Sequence, residues 1–406
     1  MKMMFKRILA IGILCVMVAG IISCSVPDDE NKLTDITPGQ SGDVKSFNRD
    51  AYNMKIEMIR GVLEKYYMGD IDYNKMTEGL YSGLINSLGD PYTVYFSAEE
   101  YRKFSDTTNG NYAGIGCTVT TSSDGYAEIV KPFKDGPAYN AGILPGDIIY
   151  EIDGENMTGI DLDTVVTKVR GEPGTEVKLK VYRRDTQEYL EVVVIRGNVQ
   201  TPTVEYKMLP DGIGYVQVTE FDKVTETQFN KAIDDLTSQG MKALIVDLRD
   251  NPGGMLTTVV SALSRILPKD YLLIYMEDKE GKREEHFSKT TKTVDVPIAV
   301  LINGNSASAS EVFAGCLQDY GKATLIGTKT FGKGIVQSLI PLGDGSAIKV
   351  TTSKYFSPKG RNIHGVGFEP DIKVELDPSL KGKAEIPTEE DNQVQAAVDF
   401  LKTQIK

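Results

Sequence analysis

Histidine is nearly absent: His286 and His364 are the only two in 406 residues. A catalytic triad built on imidazole has just those two candidate bases, and imidazole metal sites are all but excluded. Cysteine is sparse too. Cys15, Cys24, Cys117 and Cys316 include no C-x-x-C pair, which argues against structural zinc. Cys117 and Cys316 read as small buried residues, not a disulfide framework. Beyond the first 24 residues no apolar run is long enough to span a bilayer. Positive charge is in deficit: 45 Lys and Arg against 57 Asp and Glu leave −12 at pH 7, with pI near 4.9. So acidic a chain is a poor partner for nucleic-acid phosphates. What is there is ordinary globular material, 41% hydrophobic and 25% charged. It is long enough for two or three domains with real cores.

The N-terminus has the three parts of an export signal. Lys2, Lys6 and Arg7 are basic, residues 8–22 are apolar and small, and Ile21-Ile22-Ser23-Cys24 leads into an acidic stretch. The segment before Cys24 resembles a lipobox. That resemblance implies a signal peptide over 1–23, cleavage ahead of Cys24 and lipidation of its thiol. An uncleaved anchor helix, or ordinary cleavage with an incidental cysteine, are the other readings. Each places the protein outside the cytoplasm, and the first two tether it to the membrane. Residues 24–44 are rich in Pro, Gly, Ser and Asp and read as a flexible tether.

Residues 45–108 read as a helical unit. Tyr52, Ile56, Ile59, Leu63 and Tyr66 recur at helical spacing, as do Met76, Leu80, Leu84 and Leu88. Asp90-Pro91 is expected to end the second helix, because the residue before proline avoids the α region. Such a hairpin either packs on its own chain or pairs two chains into a homodimer.

Texture changes over 109–198, where short β-type runs alternate with turn residues. Gly114-Ile115-Gly116, the block from Pro137 to Ile149 (Pro-Ala-Tyr-Asn-Ala-Gly-Ile-Leu-Pro-Gly-Asp-Ile-Ile) and Ile152-Asp153-Gly154 together resemble a PDZ domain. That resemblance implies a β-barrel-like module that takes a peptide as an added strand. Gly114, Ile115 and Gly116 would hold its terminal carboxylate on backbone N–H groups.

Residues 199–375 are α/β in texture. Gly214 to Val218 reads as a strand, and Thr225 to Leu236 as a helix with Thr225 a possible N-cap. Ala243 to Arg249 and Pro297 to Asn303 are continuous apolar strands of the buried, parallel type. Each runs into a loop and then a helix, so both loops lie at carboxyl ends of strands, where open α/β sheets build their sites. Residues 376–406 end in a closing helix with Val394, Val398, Leu401 and Ile405 on one side.

Ser306-Ala307-Ser308-Ala309-Ser310-Glu311 follows the second of those strands. Taken alone, Ser308 and Glu311 fit a capping box. Ser308 as a nucleophile needs a base, and neither histidine sits in dry or oriented surroundings. A lysine serves only when desolvation lowers its pKa. Lys333, in Thr330-Phe331-Gly332-Lys333-Gly334-Ile335-Val336-Gln337, has one of the least polar neighbourhoods of any lysine here. A surface lysine snorkelling from a Gly-rich hairpin is the plain alternative.

The serine and lysine segments, with Asp247 to Gly254 (Asp-Leu-Arg-Asp-Asn-Pro-Gly-Gly), the Leu88-Gly89-Asp90-Pro91-Tyr92 turn and the late Gly367-Phe368-Glu369-Pro370-Asp371, resemble the C-terminal processing peptidases. These are Ser/Lys endopeptidases, also called tail-specific proteases. The resemblance runs from about residue 45 to the end. It implies a multidomain α/β protein: an N-terminal helical unit, a PDZ domain and a crotonase-like protease core, without a cofactor or metal. It also implies Ser308 as nucleophile, Lys333 as general base and Gln337 as the residue that orients the lysine. The oxyanion hole would combine the N–H of Ala309 with one from Gly253 or Gly254. Asp319 falls at a supporting acidic position, and Arg170 at a regulatory position linking the PDZ domain to the core, with a solvated surface arginine as the alternative. Substrates are then proteins or peptides with a free, apolar C-terminus.

One expectation goes beyond the match. Four residues of strand would set Lys333 and Gln337 about 13 Å apart, and a helical turn would set them about 6 Å apart, so the stretch from Gly332 to Gln337 should be at least partly turn-like and not one straight strand. Two rivals stay in view: a non-catalytic PDZ peptide-binding protein on a degenerate protease fold, and a crotonase-like acyl-transfer enzyme.

Overall fold

Strands that alternate large apolar side chains to both faces must be covered on both faces, and that rule organises the core of this chain. The computed structural model describes residues 48–405 apart from 382, 384 and 385. The signal segment, Cys24 and the tether lie outside the described residues. The described chain divides into two units, one of residues 102–336 with 352–405 and one of residues 48–101 with 337–351.

In the smaller unit, helix α1 (Arg49–Tyr66) starts at Asn48, whose side chain accepts from the Ala51 amide. It buries none of its residues, and Tyr52, Met58, Ile59, Val62, Leu63 and Tyr66 are exposed. Helix α2 (Tyr73–Asn86) is capped by Asp72, whose Oδ1 accepts from the Asn74 and Lys75 amides. α2 stops four residues short of Asp90. A turn through Ser87 and Leu88 ends in Gly89 at φ +69°, a conformation glycine adopts without penalty. Strand β1 (Val94–Phe96) then pairs antiparallel with residues 347–349.

The larger unit begins with α3 (Ala98–Asn109), of which residues 102–109 belong to it. The PDZ-like part follows: β2 (Asn111–Gly114), β3 (Cys117–Thr121), β4 (Ala127–Pro132), the short α4 (Pro137–Asn140), β5 (Ile148–Ile152), β6 (Glu155–Asn156), α5 (Leu162–Val169), β7 (Glu176–Arg183), β8 (Glu188–Ile195) and β9 (Gly197–Gln200). The sheet order is β3-β4-β5-β7-β8, with β6 on β5 and a separate β2-β9 pair. β3 is therefore an edge. Ile129, Ile149, Val165, Leu179 and Val194 fill the interior, each fully or almost fully buried.

The protease-like part comprises β10 (Val204–Leu209), β11 (Ile213–Val218), α6 (Lys223–Ser238), β12 (Ala243–Asp247), α7 (Leu256–Ser264), β13 (Leu272–Asp278), β14 (Arg283–Phe287), β15 (Ile298–Ile302), α8 (Ala309–Asp319), β16 (Ala323–Gly327), β17 (Ile335–Pro341), β18 (Ala347–Phe356), β19 (Ile372–Lys373) and α9 (Asn392–Lys402). β17 and β18 each cross the boundary between the units. The main sheet has the order β10-β11-β12-β15-β16-β19, parallel except for β10. Val216, Leu244, Val246, Val300 and Ile302 face α6, α7 and α8. Tyr215, Ile245, Ala299 and Leu301 turn the other way and meet Val394, Ala397 and Leu401 of α9. Residues four apart on α6 and α8, such as Phe229 with Ile233 and Phe313 with Leu317, supply the helical side of that core.

α6 starts two residues before Thr225. Asp222 occupies the N-cap position, while the Thr225 hydroxyl bonds to Thr203 Oγ1 (2.7 Å) and donates to the Glu220 carbonyl (2.9 Å). A hydroxyl used across the strand is not available to the helix. Cys316 is buried and Cys117 half-buried, both as free thiols, and burial pushes the Cys117 thiol up to about 12.

Candidate active site

β12, β15 and β16 are parallel neighbours. The loops leaving their carboxyl ends carry Gly253 and Gly254, then Ser308, then Lys333, so the sheet brings together residues up to 80 positions apart. The first two loops are joined by side chains that turn back on backbone. Asn251, fully buried, donates from Nδ2 to the Val218 carbonyl (2.8 Å), and its own carbonyl accepts from the Ala307 amide (3.0 Å). Asp250, at φ +60°, accepts from the side-chain amides of Asn303 (2.9 Å) and Asn305 (2.7 Å).

The three serines divide clearly. Ser306 Oγ donates to the Leu248 carbonyl (2.7 Å), and Ser310 Oγ donates to the Asn251 carbonyl (2.9 Å). Both hydroxyls are structural. Ser308 Oγ is buried and makes no hydrogen bond among the described residues. Ser308 also sits at φ 54°, ψ −115°, a region costly for a residue with a Cβ and typical of functional positions. The capping box is half closed. Glu311 Oε2 accepts from the Ser308 amide at 2.9 Å, while the serine oxygen spends no bond in return.

Glu311 is the residue that the sequence signal undersold. Its Oε2 accepts from the Lys333 amide (2.7 Å) as well as from Ser308, and its Oε1 accepts from Thr330 Oγ1 (2.6 Å) and the Gly332 amide (2.7 Å). Burial pushes this carboxyl above its usual range, against the pull of those four donors. One side chain on the serine's helix thus fixes the backbone of the lysine's loop. Lys333 is 3% exposed, so its stem does not snorkel to water. The backbone is irregular from Phe331 to Gly334 and strand from Ile335. Lys333 and Gln337 therefore do not share one straight strand, but the expected turn is not there either: Gly332 to Gly334 is irregular and Gln337 lies within β17.

Gly253 approaches the serine so closely that a Cβ there would lie 2.8 Å from Ser308 Cβ and 2.9 Å from the Ala309 nitrogen. Its φ of +112° excludes other residues as well. The Gly253 N–H donates to Asn251 Oδ1 (2.8 Å), and its carbonyl accepts from the Phe221 amide (2.8 Å). In a trans peptide C=O and N–H point opposite ways, so the Gly254 N–H points away from Phe221. Neither it nor the Ala309 N–H makes a hydrogen bond among the described residues.

Gln337 belongs to the smaller unit and is almost fully buried there. Its Nε2 donates to the Tyr92 carbonyl (2.6 Å), and its Oε1 has no hydrogen bond among the described residues. Asp90 shapes that turn, accepting from the Tyr92 amide, the Thr93 hydroxyl and the Thr351 hydroxyl. Asp319 lies at the far end of α8 from Ser308, about 16 Å along the axis. It pairs with Arg361 and accepts from the Lys359 amide (2.9 Å). His364 is exposed and His286 half-buried on β14, where burial lowers its pKa.

In the PDZ-like part Gly114 ends β2, Ile115 is buried in the core, and Gly116 takes φ +74°. The Ile115 and Gly116 carbonyls accept from Ala138 and Phe133. Arg170 lies over the Tyr112 ring at 4.9 Å, packed beside Gly114.

The chain resembles known proteins along most of its length. Residues 212–374 match peptidase family S41, 128–183 match the PDZ domain, and 22–100 match the N-terminal domain of the activating protease CtpB. The chain is 37% identical over 329 residues to the carboxy-terminal processing protease CtpB of Bacillus subtilis, covering 80% of this chain and 68% of that one. It is 33% identical over 398 residues to a CtpA-like serine protease of Staphylococcus haemolyticus, covering 98% and 77%. A Bacteroides fragilis chain described as an S41 protease shares the fold, at TM-score 0.52 and 17% identity over 91% of this chain and 100% of that one. With the expected fold class in place and relatives aligned along most of its length, the chain belongs to the C-terminal processing peptidases of family S41 and is a serine-type peptidase.

Proposed function

We propose that this peptidase works outside the cytoplasm and cleaves proteins presented by a free C-terminus, through an acyl-enzyme made by Ser308, Lys333 and Gln337. The observation that carries the reading is the Ser308 hydroxyl. It is buried and strained, and it alone among the three serines spends no hydrogen bond on the fold.

In the proposed reaction neutral Lys333 takes the Ser308 hydroxyl proton as Oγ bonds to the scissile carbonyl carbon. The oxyanion accepts from the N–H of Ala309 and of Gly254, since the Gly253 N–H is taken by Asn251. The C–N bond breaks, and Lys333 returns its proton to the leaving amine. Water gives a proton to Lys333 and adds to the ester, and Ser308 leaves with that proton restored. Gln337, held at Nε2 by Tyr92, offers Oε1 to orient the lysine in the working enzyme. Asp319 supports the site through the loop it pins, not by contact with substrate.

The PDZ domain selects the substrate. β3 has a free edge for an added strand, and Gly114, Ile115 and Gly116 lie at its start to receive the carboxylate. Arg170, beside Gly114, relays that occupancy to the protease core. The N-terminal sequence supports a signal peptide and lipid attachment at Cys24, which tether the protein to the membrane. The uncovered apolar side of α1 supports a homodimer.

Cleavage of a peptide with a free apolar C-terminus tests the mechanism. Ser308→Ala is expected to abolish turnover, and rapid quenching of the wild type is expected to leave an acyl group on the peptide containing Ser308. Wild-type turnover by Ser308→Ala overturns it.

A further inference from the structure

Lys333 stands between two glycines, Gly332 and Gly334, which restrain its flanking peptide units little by themselves. A base must nevertheless point one way. Its N–H side is held from α8, where Glu311 accepts from the Gly332 and Lys333 amides, each at 2.7 Å. Its carbonyl side is held from elsewhere. The Tyr355 hydroxyl, on β18, donates to the Lys333 carbonyl. The Tyr355 amide donates to the Gly334 carbonyl at 3.2 Å. Asn362 Nδ2 reaches both the Gly334 carbonyl (3.3 Å) and the Tyr355 carbonyl (2.9 Å). The same segment closes on the loop from outside: a Cβ on Gly334 would lie 2.5 Å from the His364 nitrogen, and one on Gly332 would lie 3.0 Å from the Gly367 nitrogen.

We infer that Tyr355, braced by Asn362, is a positioning residue for the general base: its hydroxyl fixes the Lys333 peptide and so the direction in which the amine is presented. This rests on the reading of Lys333 as the base. Tyr355 is 3% exposed, and its backbone is set by a rung to Met276 of β13, so the hydroxyl is delivered from the sheet and not from a loose loop. Without that hydroxyl the Lys333 carbonyl turns, and the stem swings off its line toward Ser308 and toward water.

The test uses the full chain carrying Tyr355→Phe, which keeps the ring. The expected result is a fall in kcat of about tenfold or more with KM unchanged, because binding is intact and only presentation of the base is lost. The acid limb of kcat/KM is expected to move to higher pH, as an amine nearer water recovers its charge more readily. Asn362→Ala, which removes the brace and spares the phenol, is expected to shift the limb the same way by less. Glu311 and His364 are the titratable neighbours along this loop, and both substitutions leave them in place. Lys333→Ala is the control. Turnover by Lys333→Ala overturns the base reading itself. Inactive Lys333→Ala combined with an unshifted limb and full kcat in Tyr355→Phe overturns the positioning role alone. A Tyr355→Phe protein that loses stability and kcat together, with the limb unmoved, also overturns it.

Discussion

The amides of Ser308 and Lys333 donate to the same carboxylate oxygen, Glu311 Oε2, at 2.9 and 2.7 Å. Two loops from neighbouring strands are locked in register by one buried side chain. A cap residue in the ordinary sense stabilises one helix end; this one also sets where the lysine's backbone lies.

Replacing Glu311 by Ala leaves the Ser308, Gly332 and Lys333 amides and the Thr330 hydroxyl without their acceptor. Each buried donor left unsatisfied costs about 1–3 kcal/mol. The expected outcome is a stability loss of at least about 3 kcal/mol in chemical denaturation and a fall in kcat of more than about 100-fold. Glu311→Gln keeps the shape and an acceptor oxygen, and its loss of both is expected to be smaller. Equal stability and activity in Glu311→Ala and the wild type would contradict the linkage.

The three serines give a split between stability and activity. Ser306→Ala and Ser310→Ala each remove a hydrogen bond to a backbone carbonyl and are expected to cost about 1 kcal/mol. Cleavage by either is expected to stay within a few-fold of wild type. Ser308→Ala removes a hydroxyl with no bond to lose, so denaturation midpoints should not fall while cleavage disappears.

Asp222 makes stability depend on pH. Burial first, and Glu220 second, push its carboxyl up to about 8. Below about pH 4 the group is protonated in both the folded and unfolded chain. As pH rises toward 8 the unfolded chain ionises freely and the folded one resists, so the folded state loses stability across that window and levels off above it. Asp222→Asn is expected to flatten this slope and raise the denaturation midpoint at pH 8 relative to wild type. A wild-type midpoint that climbs from pH 5 to pH 8, or a slope unchanged in Asp222→Asn, would count against the assignment.

Substrate choice is tested with one peptide in two forms. If the N–H groups at Gly114 to Gly116 hold the carboxylate as proposed, a free acid is expected to give KM at least about tenfold lower than a C-terminal amide. Gly116→Val places a side chain at φ +74°, where a Cβ already meets Val199 and Pro137 at 3.2–3.3 Å. It is expected to remove the preference. Equal KM for acid and amide would show that the carboxylate is not read.

Much of this was legible in residue order. Continuous apolar runs gave β12 and β15, helical spacing gave α1, α2 and α9, and small residues around Ser308 and Lys333 marked both loops. What was hidden depends on the third dimension. Glu311 looks in sequence like one half of a cap, and nothing local says that its other oxygen faces Gly332, 21 positions on. Tyr355 reads as a strand aromatic and Asn362 as a turn residue, because their partners are backbone atoms of a distant loop. Thr225 carries a cap signature but uses its hydroxyl on Thr203. The direction of the peptide plane between Gly253 and Gly254, on which the proposed oxyanion contact rests, is not written in residue order.

The proposed reaction requires Lys333 to be an uncharged amine near neutral pH. Titrating its ε-nitrogen by heteronuclear NMR, in Ser308→Ala with bound peptide, measures that directly. The expected midpoint is well below the ordinary lysine value of about 10.4, in a signal that disappears in Lys333→Ala. A midpoint at the ordinary value would contradict it.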